Sequence, residues 1–467
     1  MSLAPTFIRE FKGISKLDPF SIANGFATDG YNFSTAQYPA LTTRPGYSLL
    51  GSSIARVLGL GVHKETTLLA TFADGSMRRW NGSTWDSLAT SLNTSAPWSW
   101  ANFKGGFADI YLLAANGADA VKQYNGSTVS NLSGPPSGLN YIEQYADRVW
   151  GIVGNTLHAS GYRLATDWTS TPTDDQIDDS VSFNTVIESP DGETINGLRA
   201  GLGRLVVFKP TAIYELQGYA PSDYRVDMIS NEIGAINNRC IAVLQSGMYH
   251  LDERGLYRYR GDGVAPNKSF SLPVQWYIDN MVKAAKQTFS LGTDGRFLFV
   301  SISMSSSTQP DTLLVYDPDY NAWSVWMGHA AVAFANLGAS TYLGDYGGTV
   351  RLLGGDTDAG TAITARWVSR PFTAPSLAQV IRWMRLWSTM DLPSGSSFST
   401  YSSPTKDGND FVTAGVSVSG SGAIVQHPVY FPPGQHPLTA CLRMRLDWTG
   451  PCTIHETAFD QHTMPLR

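Results

Sequence analysis

From about residue 54 onward, the chain alternates short apolar runs with clusters of turn-forming residues. Such alternation is typical of half-buried β-strands, so the pattern predicts an all-β fold. One turn phrase occurs twice at a spacing of 44 residues, as Trp80–Thr84 and Tyr124–Thr128, each an aromatic residue followed by Asn-Gly-Ser-Thr. Because Asn-Gly favours the two positive-φ positions of a type I′ turn, we expect two tight hairpins of that type.

These hairpins belong to a longer rhythm of strand-rich units. Units of about four short strands, repeated at a period in the forties, are typical of β-propeller blades. Such units are recognisable at residues 54–88, 98–132, 142–157, 195–218, 240–260, 287–327 and 330–368. Because the period drifts after the second unit, the sequence predicts a β-propeller-like repeat domain of about six to seven blades. One helix is expected over residues 273–286, where apolar residues form a stripe that would pack between blades.

The chain has a different texture on either side of the propeller pattern. Residues 1–50 contain four prolines and no helical stripe between them, which predicts an extended arm laid across other elements or another subunit. After about residue 374, Ser- and Gly-rich turns separate the strands, and this pattern predicts a small β-sandwich. We therefore divide the chain into an N-terminal arm (1–50), a β-propeller (51–374) and a C-terminal β-sandwich (375–467).

Composition narrows the classes of function. Only 15% of the residues are charged, against a usual ~25%, while 12% are aromatic. This balance favours a chain that buries surface against other subunits, because aromatic residues are enriched in the cores of interfaces. The net charge is −6 and no basic run is present, so sequence-specific nucleic-acid binding has no electrostatic footprint. We expect neither a signal peptide nor a membrane span, and synthesis in a reducing cytoplasm.

The sequence offers few candidates for chemistry. It contains no G-x-S-x-G elbow, H-E-x-x-H helix, phosphate-binding Walker loop or C-x-x-C pair. An acidic cluster could recruit a cation through its carboxylates, although crowded like charges more often form a solvated loop; its members are Asp174, Asp175, Asp178 and Asp179. Asp317, Asp319 and Asn321 match the first positions of a calcium loop, but the glycine and glutamate that follow there are missing, which favours a hairpin turn.

Acidic side chains near the predicted blade turns raise the question of a glycosidase. Such an enzyme needs two carboxylates at a defined separation. The sequence selects no pair among the candidates, which are Glu188, Asp191, Glu193, Glu215 and Glu232. We therefore predict no catalytic, cofactor-binding or metal-binding residue, and a protein that is not an enzyme.

Three segments carry a resemblance to a known family. The arm ends in Leu41–Tyr47, the middle of the chain contains Gly201–Gly218, and the last domain contains Arg443–Leu446. In their order and in the length of the chain, these segments resemble the tail hub or nozzle proteins of short-tailed bacteriophages. The resemblance covers most of the chain loosely, and its short motifs include no catalytic signature.

The resemblance implies a structural protein of the virion tail that is made in the cytoplasm of a bacterial host. It would form a homo-oligomer, expected as a hexameric ring around the DNA exit channel, and would help to retain and deliver the genome. Its partners would be other tail proteins (an adaptor, fibres or a needle), with DNA passing non-specifically through the lumen. A carbohydrate-binding propeller for host adhesion and a propeller glycosidase remain the alternatives. For a ring-forming hub, deletion of residues 1–50 is expected to leave a soluble propeller that no longer assembles.

Overall fold

A computed structural model of the chain describes residues 5–171, 179–188, 192–265, 269–374, 376, 379–405, 410–431 and 439–465. The regular secondary structure of the described residues consists almost entirely of antiparallel β-sheets, together with one short α-helix and three 3₁₀ segments. None of the helices in this part of the chain is long and apolar enough to cross a membrane. The predicted all-β class is confirmed.

The first fifty residues supply five short strands, separated by turns. These strands are β1 (Thr6–Ile8), β2 (Ala27–Tyr31), β3 (Phe33–Ser34), β4 (Leu41–Thr43) and β5 (Tyr47–Leu49). Four of these strands pair with distant parts of the chain. The partners of β1, β2, β4 and β5 outside the arm all lie beyond residue 349.

Four sheets of four antiparallel strands follow, each with its strands in chain order. Blade 1 contains β6 (Val57–His63), β7 (Thr67–Phe72), β8 (Ser76–Trp80) and β9 (Trp85–Ala89). Blade 2 contains β10 (Ser99–Phe103), β11 (Tyr111–Ala115), β12 (Lys122–Tyr124) and β13 (Val129–Asn131). Blade 3 contains β14 (Asn140–Tyr145), β15 (Arg148–Val153), β16 (Thr156–Ala159) and β17 (Phe183–Val186). Blade 4 contains β18 (Gly197–Gly201), β19 (Arg204–Phe208), β20 (Ile213–Gln217) and β21 (Arg225–Ser230).

Three further sheets complete the repeat. Blade 5 contains β22 (Ile241–Leu244), β23 (Gly247–Asp252) and β24 (Gly255–Tyr259). Blade 6 contains β25 (Ser290–Thr293), β26 (Leu298–Ile302), β27 (Thr312–Asp317) and β28 (Ala322–Met327). Blade 7 contains β29 (Ala331–Leu337), β30 (Ser340–Asp345) and β31 (Val350–Leu353), and the arm strand β5 pairs with β31 as its fourth strand.

The seven blades form a closed ring. The first strand of each blade lies against the first strand of the next one, and β29 of blade 7 lies against β6 of blade 1. This closure identifies a seven-bladed β-propeller, at the upper end of the predicted range. The short hairpin of β32 (Thr357–Asp358) and β33 (Thr361–Ala362) then extends blade 7 beyond β5.

Two local predictions need correction. The phrases at Asn81 and Asn125 do close hairpins, but only Gly82 and Gly126 have positive φ, so the type I′ assignment is wrong. Each asparagine instead accepts hydrogen bonds through its side-chain oxygen from the backbone N–H groups two and three residues later, which stabilises a four-residue loop. The helix predicted over 273–286 is also shorter, since α1 spans only Gln275–Asn280, with 3₁₀ segments at Leu272–Val274 and Lys283–Thr288.

The last domain is a sandwich of two sheets. Its strands are β34 (Thr364–Ser369), β35 (Phe372–Thr373), β36 (Gln379–Leu392), β37 (Ser397–Ser403), β38 (Val412–Thr413), β39 (Val418–Ser419), β40 (Ala423–Tyr430), β41 (Cys441–Thr449) and β42 (Thr453–Pro465). One sheet has the order β3-β4-β42-β36-β40 with β1 on β42, and the other has the order β2-β34-β41-β37-β38. The arm therefore contributes strands to both layers.

One hydrophobic core joins the arm, blades 5 and 6, and the sandwich. Phe11 of the arm meets Trp367 of the sandwich edge to face, with ring centroids 5.5 Å apart. The arm backbone also lies against blade 6, where the N–H of Ile14 donates to the carbonyl of Trp323 at 2.7 Å. Because a Cβ atom on Gly13 would lie 2.3 Å from that carbonyl oxygen, this approach requires glycine. The arm thus lies across elements of its own chain, one of the two placements expected for it.

Candidate functional site

The axis of the propeller is the place where all seven blades meet. Two cavities lie along it, of ≈ 150 Å³ and ≈ 350 Å³, and they share residues at the middle of the passage. The first axial cavity, of ≈ 150 Å³, lies toward the ends at which the first strand of each blade (the inner strand) begins. The second axial cavity, of ≈ 350 Å³, lies toward the ends at which these inner strands finish. The shared residues are Glu143, Arg199, Leu291 and Phe334.

Aromatic side chains fill much of the space between the inner strands. The ring of Trp100 lies over β6, where a Cβ atom on Gly61 would come within 2.4 Å of the indole. Phe334 lies over β25 in the same manner, because a Cβ atom on Gly292 would come within 2.1 Å of its ring. Glycine at these two positions lets the rings of the neighbouring blades pack against bare backbone. The propeller axis is consequently a packed region with small cavities.

An ion pair at the axis joins the neighbouring blades 3 and 4. The register of β14 shifts between Asn140 and Glu143, and Tyr141 in this bulge has a φ of 52°. A bulge of this kind re-aims the side chain that follows it. Glu143 accepts a hydrogen bond from Arg199 Nη1 at 2.9 Å, and Arg199 Nη2 donates to the carbonyls of Asn238 and Ile241, each at 3.3 Å.

Burial dominates the electrostatics of this carboxyl group. Burial raises the pKa of Glu143 to about 7, and the Arg199 guanidinium acts in the opposite direction without cancelling the effect. Its side chain is only 14% exposed. Glu143 is therefore a group that changes charge near neutral pH.

A second arginine enters the first axial cavity from blade 5. Asn237 caps the 3₁₀ segment Asn238–Cys240, and this turn directs Arg239 toward blades 6 and 7. Arg239 donates to the carbonyls of Gln287 and Val332, the latter at 3.3 Å. Burial lowers the pKa of Arg239 to about 10, and the positive charge of Arg56 acts in the same direction.

This arrangement has the polar groups of a binding site, but it lacks the pair of carboxylates that a glycosidase needs. Glu143 is the only carboxylate among the described residues that line the two axial cavities. An acid with no second carboxylate opposite it cannot supply both functions of that mechanism. The site is better described as a polar centre of two arginines and one titratable glutamate on the propeller axis.

The acidic residues that the sequence singled out lie elsewhere. Asp174, Asp175 and Asp178 fall outside the described residues, whereas Asp179 accepts a hydrogen bond from the Ser222 hydroxyl at 3.2 Å. In the described ranges, no three His, Cys, Asp or Glu side chains are grouped so that they could hold a metal ion.

The segment at Asp317, whose sequence matches the first positions of a calcium-binding loop, forms the hairpin turn that we expected. It joins β27 to β28, and the Asp317 carboxylate pairs with Arg296 Nη2 at 2.7 Å. Asn321 takes a φ of 50° and accepts a hydrogen bond from the Tyr316 hydroxyl. Asp317 is thus paired with a residue outside the turn, whereas Asn321 is bonded within it.

The remaining acidic candidates do not converge. Glu215 is buried and accepts hydrogen bonds from the Tyr259 hydroxyl and from Gln217 Nε2. Glu193 accepts from the backbone and the hydroxyl of Thr211. Glu188 and Glu232 are exposed, and Asp191 lies outside the described residues.

Sequence reasoning missed the polar residues of the axis. Glu143, Arg199 and Arg239 belong to no motif, and their convergence depends on the closure of seven blades. One available signal is their position, because each lies in or just before the first strand of its blade, where charged residues are otherwise scarce.

Comparisons with known proteins bear on the fold alone. No protein-family model matches the chain, and no curated protein is significantly similar in sequence. Among solved structures, the WD40 β-propeller domain of Doa1 is 10% identical, with a TM-score of 0.41 over 66% of this chain and 97% of that one. BBS1N in complex with ARL6DN is 11% identical, with a TM-score of 0.45 over 67% of this chain and 97% of that one. The computationally designed Ika8 protein is 13% identical, with a TM-score of 0.40 over 66% of this chain and 99% of that one.

Proposed function

We propose that this chain is a non-catalytic structural subunit of a bacteriophage virion tail. In this proposal it forms a ring-shaped hub or nozzle around the DNA exit channel and helps to retain and deliver the genome. The observation that carries the proposal is the course of the arm, which pairs with both sheets of the sandwich and also completes blade 7. The arm thereby joins the propeller and the sandwich into one structural unit. Such a connection suits a protein that bears mechanical load.

Two further features support an assembly role. The axis of the subunit is occupied by Trp100, Phe334 and the Glu143–Arg199 pair, so a DNA passage would have to lie between subunits. The edge strand β40 also presents apolar side chains to solvent, with Ile424 66% and Tyr430 65% exposed. Exposed apolar edge strands are surfaces that proteins commonly cover with a partner.

Native mass spectrometry of the purified full chain tests the proposal, followed by imaging of the particle. We expect a closed oligomer, with a hexameric ring as the predicted species. Introducing Ile424→Glu together with Tyr430→Ser should shift the population toward monomer. Tyr219→Ser is the matched control, since Tyr219 is 93% exposed on a hairpin of blade 4. This variant should leave the number of chains in the oligomer unchanged.

A chain that stays monomeric at high concentration would contradict the ring. That result would favour a binding propeller that acts as a single subunit, such as a carbohydrate-binding adhesin. Glycan-array binding by the monomer would then separate adhesion from assembly.

A further inference from the structure

Hydrogen-bond donors predominate around the first axial cavity. Arg239 precedes blade 5, and its two hydrogen bonds go to the main-chain carbonyls of Gln287, just before blade 6, and of Val332 in blade 7. Asn238 accepts a hydrogen bond through its side-chain oxygen from the N–H of Leu198, which orients its amide group at the same cavity. Arg199 completes this donor-rich wall from blade 4.

The charges that line this cavity do not balance. Arg199 is paired with Glu143, which leaves Arg239 in excess. Within the described part of the chain, Arg239 takes part in no ion pair, and both its burial and the positive charge of Arg56 lower its pKa. A half-buried guanidinium that has carbonyls alone as partners retains an unneutralised charge, which is costly in a low-dielectric region. A bound anion would remove that cost.

We propose that the first axial cavity binds a small anionic group, either a carboxylate or a tetrahedral oxyanion, through Arg239 with help from Asn238 and Arg199. Arginine suits both kinds of anion, because its planar fork can donate two parallel hydrogen bonds. The cavity of ≈ 150 Å³ has the volume of about five water molecules, enough for one such group. The anion could arrive free in solution or as the acidic end of a partner polypeptide.

Glu143 links this site to pH. As pH falls through its raised pKa, the carboxylate becomes neutral, which removes a negative charge from the cavity wall and leaves the positive charge of Arg199 uncompensated. The other charged or titratable groups near Glu143 are the two arginines and Tyr141, while the neighbouring inner strands contribute side chains that cannot ionise, namely Trp100, Leu291 and Phe334. Anion affinity should therefore rise as pH is lowered from 8 to 6.

Isothermal titration of the full chain with sodium sulfate provides the test, because sulfate stays dianionic over this pH range. We expect saturable binding at pH 6 that Arg239→Gln weakens by about tenfold or more, as loss of a charge-assisted contact should. Arg225→Gln is the matched control, since that side chain is 72% exposed on blade 4 and should leave binding unchanged. Absence of saturable binding at pH 6, or equal binding by wild type and Arg239→Gln, would overturn the proposal.

A second variant keeps the test decisive if Arg239→Gln fails to fold. Glu143→Gln should bind sulfate at pH 8 as tightly as the wild type does at pH 6, and its affinity should no longer depend on pH. An unchanged pH dependence in this variant would also count against the site. Parallel titrations with acetate and with a short peptide ending in aspartate identify the source, because a free anion predicts that acetate binds and the peptide does not. A partner's acidic chain end predicts tighter binding of the peptide.

Discussion

Blade 1 and blade 7 have similar strands but are completed in different ways. All four strands of blade 1 lie between residues 57 and 89, and its outer hairpin is closed by the capped loop at Asn81. Blade 7 takes its outer strand from Tyr47–Leu49, which pairs with Val350–Leu353 across most of the propeller sequence. The same architecture is thus stabilised locally at one point of the ring and by a distant segment at the adjacent point.

This difference shows where the cooperativity of the molecule resides. A defect in blade 1 can remain local, because its strands are neighbours in sequence. A defect in the closure of blade 7 affects the arm, and the arm is also part of both sandwich sheets. We therefore expect substitutions near β5 to lower the free energy of unfolding of the whole chain more than equivalent substitutions near the loop at Asn81.

Removal of residues 1–50 should have the largest effect. The sequence pattern predicts a soluble propeller after this deletion, whereas the strand pairing predicts loss of the outer strand of blade 7 and of strands from both sandwich sheets. The truncated protein is expected to be aggregated or to lack a cooperative transition, as measured by circular dichroism and limited proteolysis. A soluble truncated chain with a sharp thermal transition would show that the arm is dispensable for closure.

Arg44→Met should destabilise strongly. Arg44 is almost fully buried next to β5, where it forms a two-point ion pair with Asp358 (2.9 and 2.6 Å) and donates through Nε to the side-chain oxygen of Asn32. Removing one partner of a buried ion pair should cost about 3 kcal/mol. Chemical denaturation measures the effect, and Arg225→Met at the exposed pair with Asp227 should cost less than about 1 kcal/mol. Equal losses in the two variants would mean that the arm contact is no stronger than a surface pair.

Two glycine-to-alanine changes compare the contact of the arm with blade 7 and the hairpin loop of blade 1 directly. A Cβ atom on Gly46 would lie 2.0 Å from the carbonyl oxygen of Thr357, so Gly46→Ala must push the arm away from blade 7, at a cost of about 3 kcal/mol. Gly82 has open space around its Cβ position and a φ of 102°, so Gly82→Ala should cost only about 1 kcal/mol of local strain. Differential scanning calorimetry of both variants should place the Gly46 variant lower in Tm. The reverse order would contradict the comparison.

The smallest effect is expected from Asn81→Ala. This change removes the side-chain acceptor for the N–H groups of Ser83 and Thr84 and should cost about 1 kcal/mol. Hydrogen exchange should rise only in the hairpin of β8 and β9. Increased exchange in blade 7 or in the arm would show that the local hairpin is coupled to the ring closure after all.

The elements that sequence reasoning located well are those whose partners are close in the chain. Blade 6 illustrates this, because alternation at residues 297–303, 311–316 and 322–326 matches β26, β27 and β28 within two residues. Hairpin geometry there depends on residues only a few positions apart. The sequence could not reveal β5, because three residues carry no readable period and the partner strand lies about three hundred residues away.

The polar axis was unpredictable for a related reason. Glu143 points inward because of a bulge at Tyr141, and a bulge shifts the two-residue period on which inward and outward positions are assigned. The convergence of Arg199 and Arg239 requires in addition that blades 4 and 5 occupy their places in a closed ring.

The pairing of β1 with β42 also has a consequence for synthesis on the ribosome. Thr6 is translated about 450 residues before its partner Phe459. Domains usually fold as they emerge, but here β1 must remain unpaired until β42 has been made. A prematurely terminated chain would leave the arm strands without their partners, so it would be exposed to chaperones and proteases. Only a chain translated through β42 could therefore complete the sandwich.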